Sequence, residues 1–303
     1  GVARTDAAGF TIGNKGYICG GYNGKTTRLA DTWEYDIDND WWTQRADMPG
    51  TVRNAATGFP VGNKGYITTG YNPDQKYLAD TWEYDPETNT WRQMDDFKGG
   101  ARYYALGFGI DNYGYVGTGY NDNYLKDFYR FDPTAAAGSQ WTIVNGFGGQ
   151  KRQGATAFVI NGKAYVCGGQ NNNSDVSDFW RFDPSAATPW TQLRDIANTS
   201  DDDYDDDYTS IVRSYGVSFV IDGKAYLTLG STAGGSYYSN YWIYDPETDL
   251  WEGDDLTAFE GSTRIHAVCF STGTRGIIAT GGSGSSSYFD DTWELKPYEY
   301  EEE

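Results

Sequence analysis

Cysteine, histidine and basic side chains are scarce in this 303-residue chain, and no long apolar run occurs in it. Each shortage closes off a class of protein. Three cysteines cannot build a disulfide framework. Cys19 and Cys167 hold the same place in the repeat described below, three units apart, and Cys269 falls on a different strand. All three are expected to be small buried hydrophobes. Lysine and arginine total 23 against 43 acidic residues, which gives a net charge of −20 and a pI of about 4.3. Such a field repels phosphate backbones and anionic lipid, and so argues against nucleic acid or membrane surfaces as partners. No segment is apolar for the length of a membrane span, and no signal peptide is present. No stretch shows the helical period either, which sets aside the helical and α/β classes.

What the chain has in quantity is aromatic residues, glycine and repetition. Aromatics make up 17%, with 26 Tyr and 11 Trp, which is ample area for a core despite a mean hydropathy of −0.67. Arginine recurs at Arg4, Arg53, Arg102, Arg152, Arg213 and Arg264, in steps of 49, 49, 50, 61 and 51 residues. Three places after each stands a small residue: Ala7, Ala56, Ala105, Ala155, Gly216 and Ala267. Seventeen or eighteen places after each stands a glycine: Gly21, Gly70, Gly119, Gly169, Gly230 and Gly282. A regular period of this length means one supersecondary unit copied around an axis.

The second unit reads as four strands. Asn54–Phe59 is lined with small residues, Gly65–Gly70 follows a tight turn, Thr81–Tyr84 alternates, and Thr90–Gln93 follows the turn Asp85-Pro86-Glu87-Thr88-Asn89. Asn161-Gly162 and Asp222-Gly223, at the first turn of other units, are hairpin turns by type. The expectation is an all-β, six-bladed β-propeller of four-stranded antiparallel blades, occupying 1–303 as one domain. Blades are expected at about 1–51, 52–100, 101–150, 151–211, 212–262 and 263–303. The small residue after each arginine places that strand innermost, where blades converge. The tryptophans and tyrosines of the outer strands are expected between blades.

The residues that carry the pattern resemble kelch repeats. They are the glycine pairs Gly20-Gly21, Gly168-Gly169 and Gly281-Gly282, the Tyr-Asp-Pro turns Tyr84-Asp85-Pro86 and Tyr244-Asp245-Pro246, and a Trp about six residues later. The second and third units have Thr-Gly, the fifth Leu-Gly, and the sixth no downstream Trp. The likeness covers essentially the whole chain and implies the fold rather than one function, since kelch propellers include enzymes, adaptors and lectin-like binders. A copper oxidase of the galactose-oxidase kind is not expected, because its site needs more than one histidine and a Cys–Tyr cross-link. The likeness to exported bacterial lipoproteins implies a periplasmic or cell-surface protein, with a lipid anchor carried on a removed N-terminus. The sixth unit runs out at Lys296-Pro297-Tyr298-Glu299-Tyr300. Its outer strand is expected either from this tail or from residues upstream of Gly1.

Four up-and-down strands put the long, variable loops on one face, and a site is expected there, over the channel mouth. All six arginines enter from that face. Two readings are open for them: an anion cradle, or internal pairing with Asp31, Asp80, Asp127, Asp178, Asn240 and Asp291. Two guanidiniums ~10 Å apart repel by ~1.7 kcal/mol at an effective dielectric of about 20, so a ring of six needs counter-charge. Two places after each arginine the residues vary: Asp6, Ala55, Tyr104, Gly154, Tyr215 and His266. Variation inside a strict repeat marks a tailored pocket. His266, the one histidine, is a weak candidate acid or base there, or a hydrogen-bonded spacer. Tyr22, Tyr71 and Tyr120 offer an aromatic platform for a sugar, or rim packing. In the insertion before the fifth unit, Asp201, Asp203, Asp205 and Asp207 are weak calcium candidates without the glycine turn of a calcium hand. The other reading is a solvated acidic loop, and no further cofactor is expected. The leading expectation is a monomeric, non-catalytic propeller that holds a glycan or peptide. The alternative is a sugar-active enzyme, since sialic-acid mutarotases resemble this chain in being six-bladed kelch propellers.

Overall fold

A computed structural model describes residues 1–24, 27–253 and 257–297. Six antiparallel sheets stand around one axis, and in each the strands lie side by side in chain order. The second blade shows the pattern: inner strand Thr57–Val61, second strand Lys64–Thr68, third strand Thr81–Asp85 and outer strand Thr90–Met94. Its inner strand alternates buried and half-buried residues, its second strand is buried from Gly65 to Thr68, and its outer strand is largely exposed. This gradient follows from position, because the second strand has a paired neighbour on each edge near the axis, while the outer strand has one edge open at the rim. Hairpin turns join the first two strands, with Asn161 and Gly162 both left-handed at φ 51° and 73°. At the next turn the Asp85 carboxylate accepts the Glu87 amide at 3.0 Å and Asn89 takes a positive φ.

The inner strands Ala8–Ile12, Thr57–Val61, Leu106–Ile110, Thr156–Ile160, Val217–Ile221 and Val268–Ser271 pack each against the next, and the last returns to the first. Apolar side chains gather in six clusters between blades rather than in one core. A phenylalanine of each inner strand crosses to the following blade. Phe10 lies over Gly65, where an added Cβ would fall 2.0 Å from its ring, and Phe270 lies over Gly16 across the seam. The seam cluster also holds Tyr35, Ile18 and Ile277. Among the described residues the sixth sheet has three strands, Val268–Ser271, Gly276–Ala279 and Thr292–Leu295. Tyr298, Glu299 and Tyr300, one expected source of its outer strand, lie outside the described residues.

Two sequence expectations need correction. The post-arginine strand does not begin at Asn54: Ala55 turns left-handed, and the strand starts at Thr57. In the sixth unit the glycine in register is Gly281, not Gly282. The Gly281 amide donates to the Arg4 carbonyl at 2.9 Å, as the Gly21 amide does to that of Arg53 at 2.9 Å. Every arginine–glycine step is then seventeen residues. Thr280 occupies the left-handed place that Gly20 fills in the first blade.

The arginines are buried, at 0–2% exposure, and do not line the opening. Each guanidinium is spent inside its own blade. In Arg53, Nε donates to the Thr51 carbonyl at 2.9 Å and Nη1 to the Thr69 carbonyl at 3.0 Å. A fork from both Nη atoms reaches the Asp80 carboxylate at 2.7 and 2.6 Å. Arg4–Asp31, Arg102–Asp127, Arg152–Asp178 and Arg264–Asp291 repeat the pairing. Burial works against ionisation at Asp31, Asp80 and Asp291, but the arginine hydrogen bonds and charge outweigh it and hold these carboxyls below the usual range. A depressed carboxylate contributes stability that is present above its unfolded pKa and lost as pH falls through its folded one. The melting temperature is therefore expected to hold down to about pH 4 and to fall below it, the ordinary carboxylate range. A flat profile down to pH 2 in a melting series would remove the pairs as a source of acid lability.

Arg213 is the exception, with Asn240 in place of the aspartate. Its Nη2 donates to Asn240 Oδ1 at 3.1 Å, and burial draws its pKa down to about 10. Replacing a neutral acceptor with a charged one beside a buried cation is worth about 1 kcal/mol. Asn240→Asp is accordingly expected to stabilise the protein by about that amount in urea unfolding, and a loss of stability would contradict the pairing argument.

Candidate functional site at the loop-rich mouth

The six varied residues form a collar. Asp6, Ala55, Tyr104, Gly154, Tyr215 and His266 are all left-handed, with φ from 50° to 64°. Each backbone amide donates to the carbonyl of its counterpart in the neighbouring blade. The chain of bonds runs Ala55→Asp6 at 2.8 Å, Tyr104→Ala55 at 3.1 Å, Gly154→Tyr104 at 3.3 Å and Tyr215→Gly154 at 2.8 Å. It closes through His266→Tyr215 and Asp6→His266, each at 3.2 Å. A closed ring of backbone hydrogen bonds therefore encircles the axis, at the entrance to the inner strands. It makes the backbone indifferent to side-chain identity, so the side chains are at liberty to differ.

Four of those side chains meet across the axis. The Tyr104 hydroxyl, from the third blade, donates to Asp6 Oδ1 of the first at 2.6 Å. His266 Nδ1, from the sixth, lies 3.0 Å from the same oxygen. The rings of Tyr104 and His266 stack with centroids 5.0 Å apart, and Tyr215 sits 4.9 Å from Tyr104 and 4.2 Å from His266. Gln153 and Gln170 hold the Tyr215 hydroxyl with their Nε2 donors at 2.8 and 2.6 Å. Burial alone would raise the Asp6 carboxyl, but the His266 and Tyr104 contacts and the nearby Arg28 charge outweigh it and the pKa is lowered. Burial and the Asp6 charge push Tyr104 well above the ordinary phenol value. Asp6 is thus an ionised acceptor and Tyr104 a neutral donor at neutral pH. An Asp6 carboxylate on Nδ1 leaves His266 Nε2 for other work.

The collar and the small residues below it line a cavity of about 120 Å3. That is well short of the ~300 Å3 at which small-molecule pockets begin. A sugar-sized ligand therefore finds more room at the surface above the collar than in the channel.

Above the collar, the residue after each arginine bridges the residue after each blade's glycine: Thr5 with Tyr22, Asn54 with Tyr71, Tyr103 with Tyr120, Gln153 with Gln170, Ser214 with Ser231, and Ile265 with Gly282. The mouth therefore has an aromatic half on blades one to three and an amide and hydroxyl half on blades four and five. Tyr22, Tyr71 and Tyr120 stand in that half with half-buried rings. They belong to a longer arc. Tyr288 packs on Tyr22 at 5.8 Å, Tyr71 on Tyr103 at 5.7 Å, Tyr103 on Tyr120 at 5.7 Å and Tyr120 on Tyr124 at 5.0 Å.

Between Tyr22 and Tyr71 lies Arg28, which lies off the arginine beat and was not among the expected site residues. Its Cζ is 4.2 Å from the Tyr22 ring centre and 5.9 Å from that of Tyr71. Its Nε donates to Asn54 Oδ1 at 2.5 Å, and among the described residues no carboxylate pairs with it. A repeat alignment anchored on the loop's last apolar residue would have found it. The amides of Leu29, Leu78, Leu125, Val176, Tyr238 and Phe289 all donate to the blade's glycine carbonyl. The residue just before is Arg28, Tyr77, Tyr124, Asp175, Tyr237 and Tyr288 in turn. Tyrosine is the rule there, and Arg28 and Asp175 are the departures.

The acidic insertion is organised from within. Asp205 is buried and accepts the Thr199 and Ser200 amides at 2.9 Å each, within a loop whose Asp203–Asp205 form one 3-10 turn. Asp201, Asp203 and Asp207 are exposed. Among the described residues no three His, Cys, Asp or Glu side chains come together as a metal-binding group. No helix among them is long and apolar enough to cross a membrane. Cys19, Cys167 and Cys269 are free thiols.

Six four-to-three-stranded sheets, one axial collar and loops gathered at one mouth define a six-bladed β-propeller. The KLHDC2/KLHL20/DRC7 kelch-repeats domain matches residues 2–151, and the kelch motif matches residues 151–193. The chain belongs to the kelch-repeat family. It is 29% identical over 164 residues to N-acetylneuraminate epimerases of Yersinia pestis (strain Pestoides F) and Yersinia pseudotuberculosis, across 45% of this chain and 41% of theirs. The match thus spans about two fifths of those relatives' length. The solved structure titled "Structure of YjhT" superposes with a TM-score of 0.77 over 96% of this chain and 94% of that one, at 15% identity, a likeness of fold.

The collar network generates a direct test. Tyr104→Phe keeps the ring and removes one donor to Asp6, so the Asp6 carboxyl is expected to titrate higher than in the parent protein. Carbon-13 NMR of labelled aspartate reads this, and an unmoved Asp6 titration would show that the hydroxyl contact is not formed in solution.

Proposed function

We propose that this propeller binds a glycan at the loop-rich mouth, with a carboxylated sugar seated against Arg28. The observation that carries the reading is a guanidinium without a carboxylate partner among the described residues, held between two tyrosine rings at the rim of a collar. A guanidinium fork matches a carboxylate in shape and charge. The tyrosine half offers ring faces for a sugar's apolar face, and the Gln170 and Ser231 half offers polar groups for its hydroxyls. The relatives named for N-acetylneuraminate support an acidic sugar as the ligand, and export to the cell envelope goes with such a role. Neither the buried arginine ring nor the acidic insertion is needed for it.

A second reading adds chemistry, favoured by the Asp6–His266 pair directly beneath. An imidazole steadied on one nitrogen can take the proton from an anomeric hydroxyl while the ring C–O bond opens, the ring oxygen being protonated in turn. That reading makes the protein a sugar mutarotase or epimerase.

Calorimetry with N-acetylneuraminate separates these outcomes. Arg28→Ala is expected to weaken binding about tenfold or more, the worth of one charge-assisted contact. Equal binding by parent and variant would sink the Arg28 reading. On the bound sugar, anomeric exchange measured by NMR that is faster with the parent than with His266→Ala supports catalysis. Exchange at the uncatalysed rate leaves binding alone.

A further inference from the structure

We propose that the mouth takes a glycan chain, not a single sugar, with the acidic end at Arg28 and neutral sugars laid along the tyrosine arc of blades two and three. The acidic end rests on the reading above; the chain does not. A monosaccharide seated at Arg28 needs Tyr22 and Tyr71. It leaves Tyr120 and Tyr124 without a role in holding it, and uses Tyr77 and Tyr103 only as the packing behind Tyr71. These rings are half-buried and contiguous, and their places are set by the fold. Tyr77 and Tyr103 stack with planes 5° apart and centroids 5.6 Å apart, and the Tyr77 hydroxyl is tied to Asp122 at 2.7 Å. Rigid tyrosines of this kind give contact area at little entropic cost, and successive rings suit the C–H faces of a chain of pyranoses without demanding one sequence.

Charge gives the chain a direction and limits its kind. Arg28 lies at the first-blade end of the arc. Within the arc Asp122 is exposed beside Tyr77, and beyond its far end Asp175 occupies in the fourth blade the place that Arg28 holds in the first. A carboxylate is attracted at one end and repelled at the other. With a net charge of −20, a polyanionic chain is disfavoured throughout. One acidic sugar followed by neutral ones satisfies both conditions. A peptide fits less well. Among the described residues the backbone around the mouth is already bridged at every blade, from Thr5 with Tyr22 round to Ile265 with Gly282, so those edges are not open to strand addition.

The test compares N-acetylneuraminate with 3′-sialyllactose, the same acidic sugar carrying two neutral ones, by calorimetry on the whole protein. The trisaccharide is expected to bind about tenfold tighter or better. Tyr124→Ala is expected to erase most of that gain and leave N-acetylneuraminate binding unchanged, while Tyr124→Phe keeps the ring and the gain. Arg28→Ala is expected to weaken both ligands by the same factor. Equal affinity of the parent for the two sugars overturns the chain and leaves the acidic-sugar reading standing. An equal loss for both sugars in Tyr124→Ala also overturns it, since the ring would then act through the Arg28 site. If neither sugar binds, both readings fall together. A proline-rich decapeptide that binds more tightly than the trisaccharide replaces the glycan with a peptide.

Discussion

Everything at the mouth depends on a buried cation. A guanidinium at 0–2% exposure would be ruinous alone, since uncompensated burial of charge costs several kcal/mol. The blade answers by placing acceptors from three segments around it: the carbonyl two residues back, the carbonyl sixteen residues on, and the acid or amide that opens the third strand. One side chain thereby joins the approach to the inner strand, the end of the second strand and the start of the third. The clamp is internal to each blade, so it recurs in all six, with an aspartate as the side-chain acceptor in five. The fifth blade, which keeps the arginine but has Asn240 for the acid, shows that the carbonyl cage carries part of the load.

The clamp fixes the backbone on entry to the inner strand, and two places later the residue of every blade joins the axial hydrogen-bonded ring in the left-handed region. For Tyr104, Tyr215 and His266 that conformation is uncommon and costs of order 1 kcal/mol or more each. Glycine would take it freely, and only Gly154 does. Retaining bulky polar and aromatic groups at a strained position is understandable where their side chains are used. Here they are: three of them converge with Asp6 on one network over the axis, and the cavity they line holds only about 120 Å3. The collar is therefore a floor, and the working surface is the ring of loops above it.

Legibility in the sequence followed the same division. The arginine beat and the small residue three places later were readable because burial of a large cation and crowding at the axis act identically in each blade. The five acids and the amide were readable as partners for the same reason, although spacing alone left open whether the ring faced a ligand. The sixth glycine was misplaced by one residue because Gly281-Gly282 imitates the glycine pair of other blades, while the true first position is Thr280, whose left-handed backbone no propensity suggests. Nothing in Ala55 or Tyr104 announces a positive φ either; it is imposed by the hydrogen-bonded ring, a long-range feature. Arg28 was hidden because it breaks a pattern of tyrosines that becomes visible only when the loops are aligned on the apolar residue that follows them.

The two departures from that tyrosine pattern also say how a repetitive scaffold acquires direction. Six equal blades would present a mouth with no front or back, and a ligand could sit in six ways. Arg28 in the first blade and Asp175 in the fourth stand at places three blades apart, on opposite sides of the axis. Their charges oppose, so the field across the mouth has one sense. The amide and hydroxyl pairs of blades four and five face the tyrosines of blades one to three across the collar. Polar and apolar recognition are thereby separated in the same sense as the charge. The clamp keeps the blades alike where they must pack, and the loops are unlike only where packing makes no demand, so asymmetry could be introduced at the mouth without disturbing the ring that supports it.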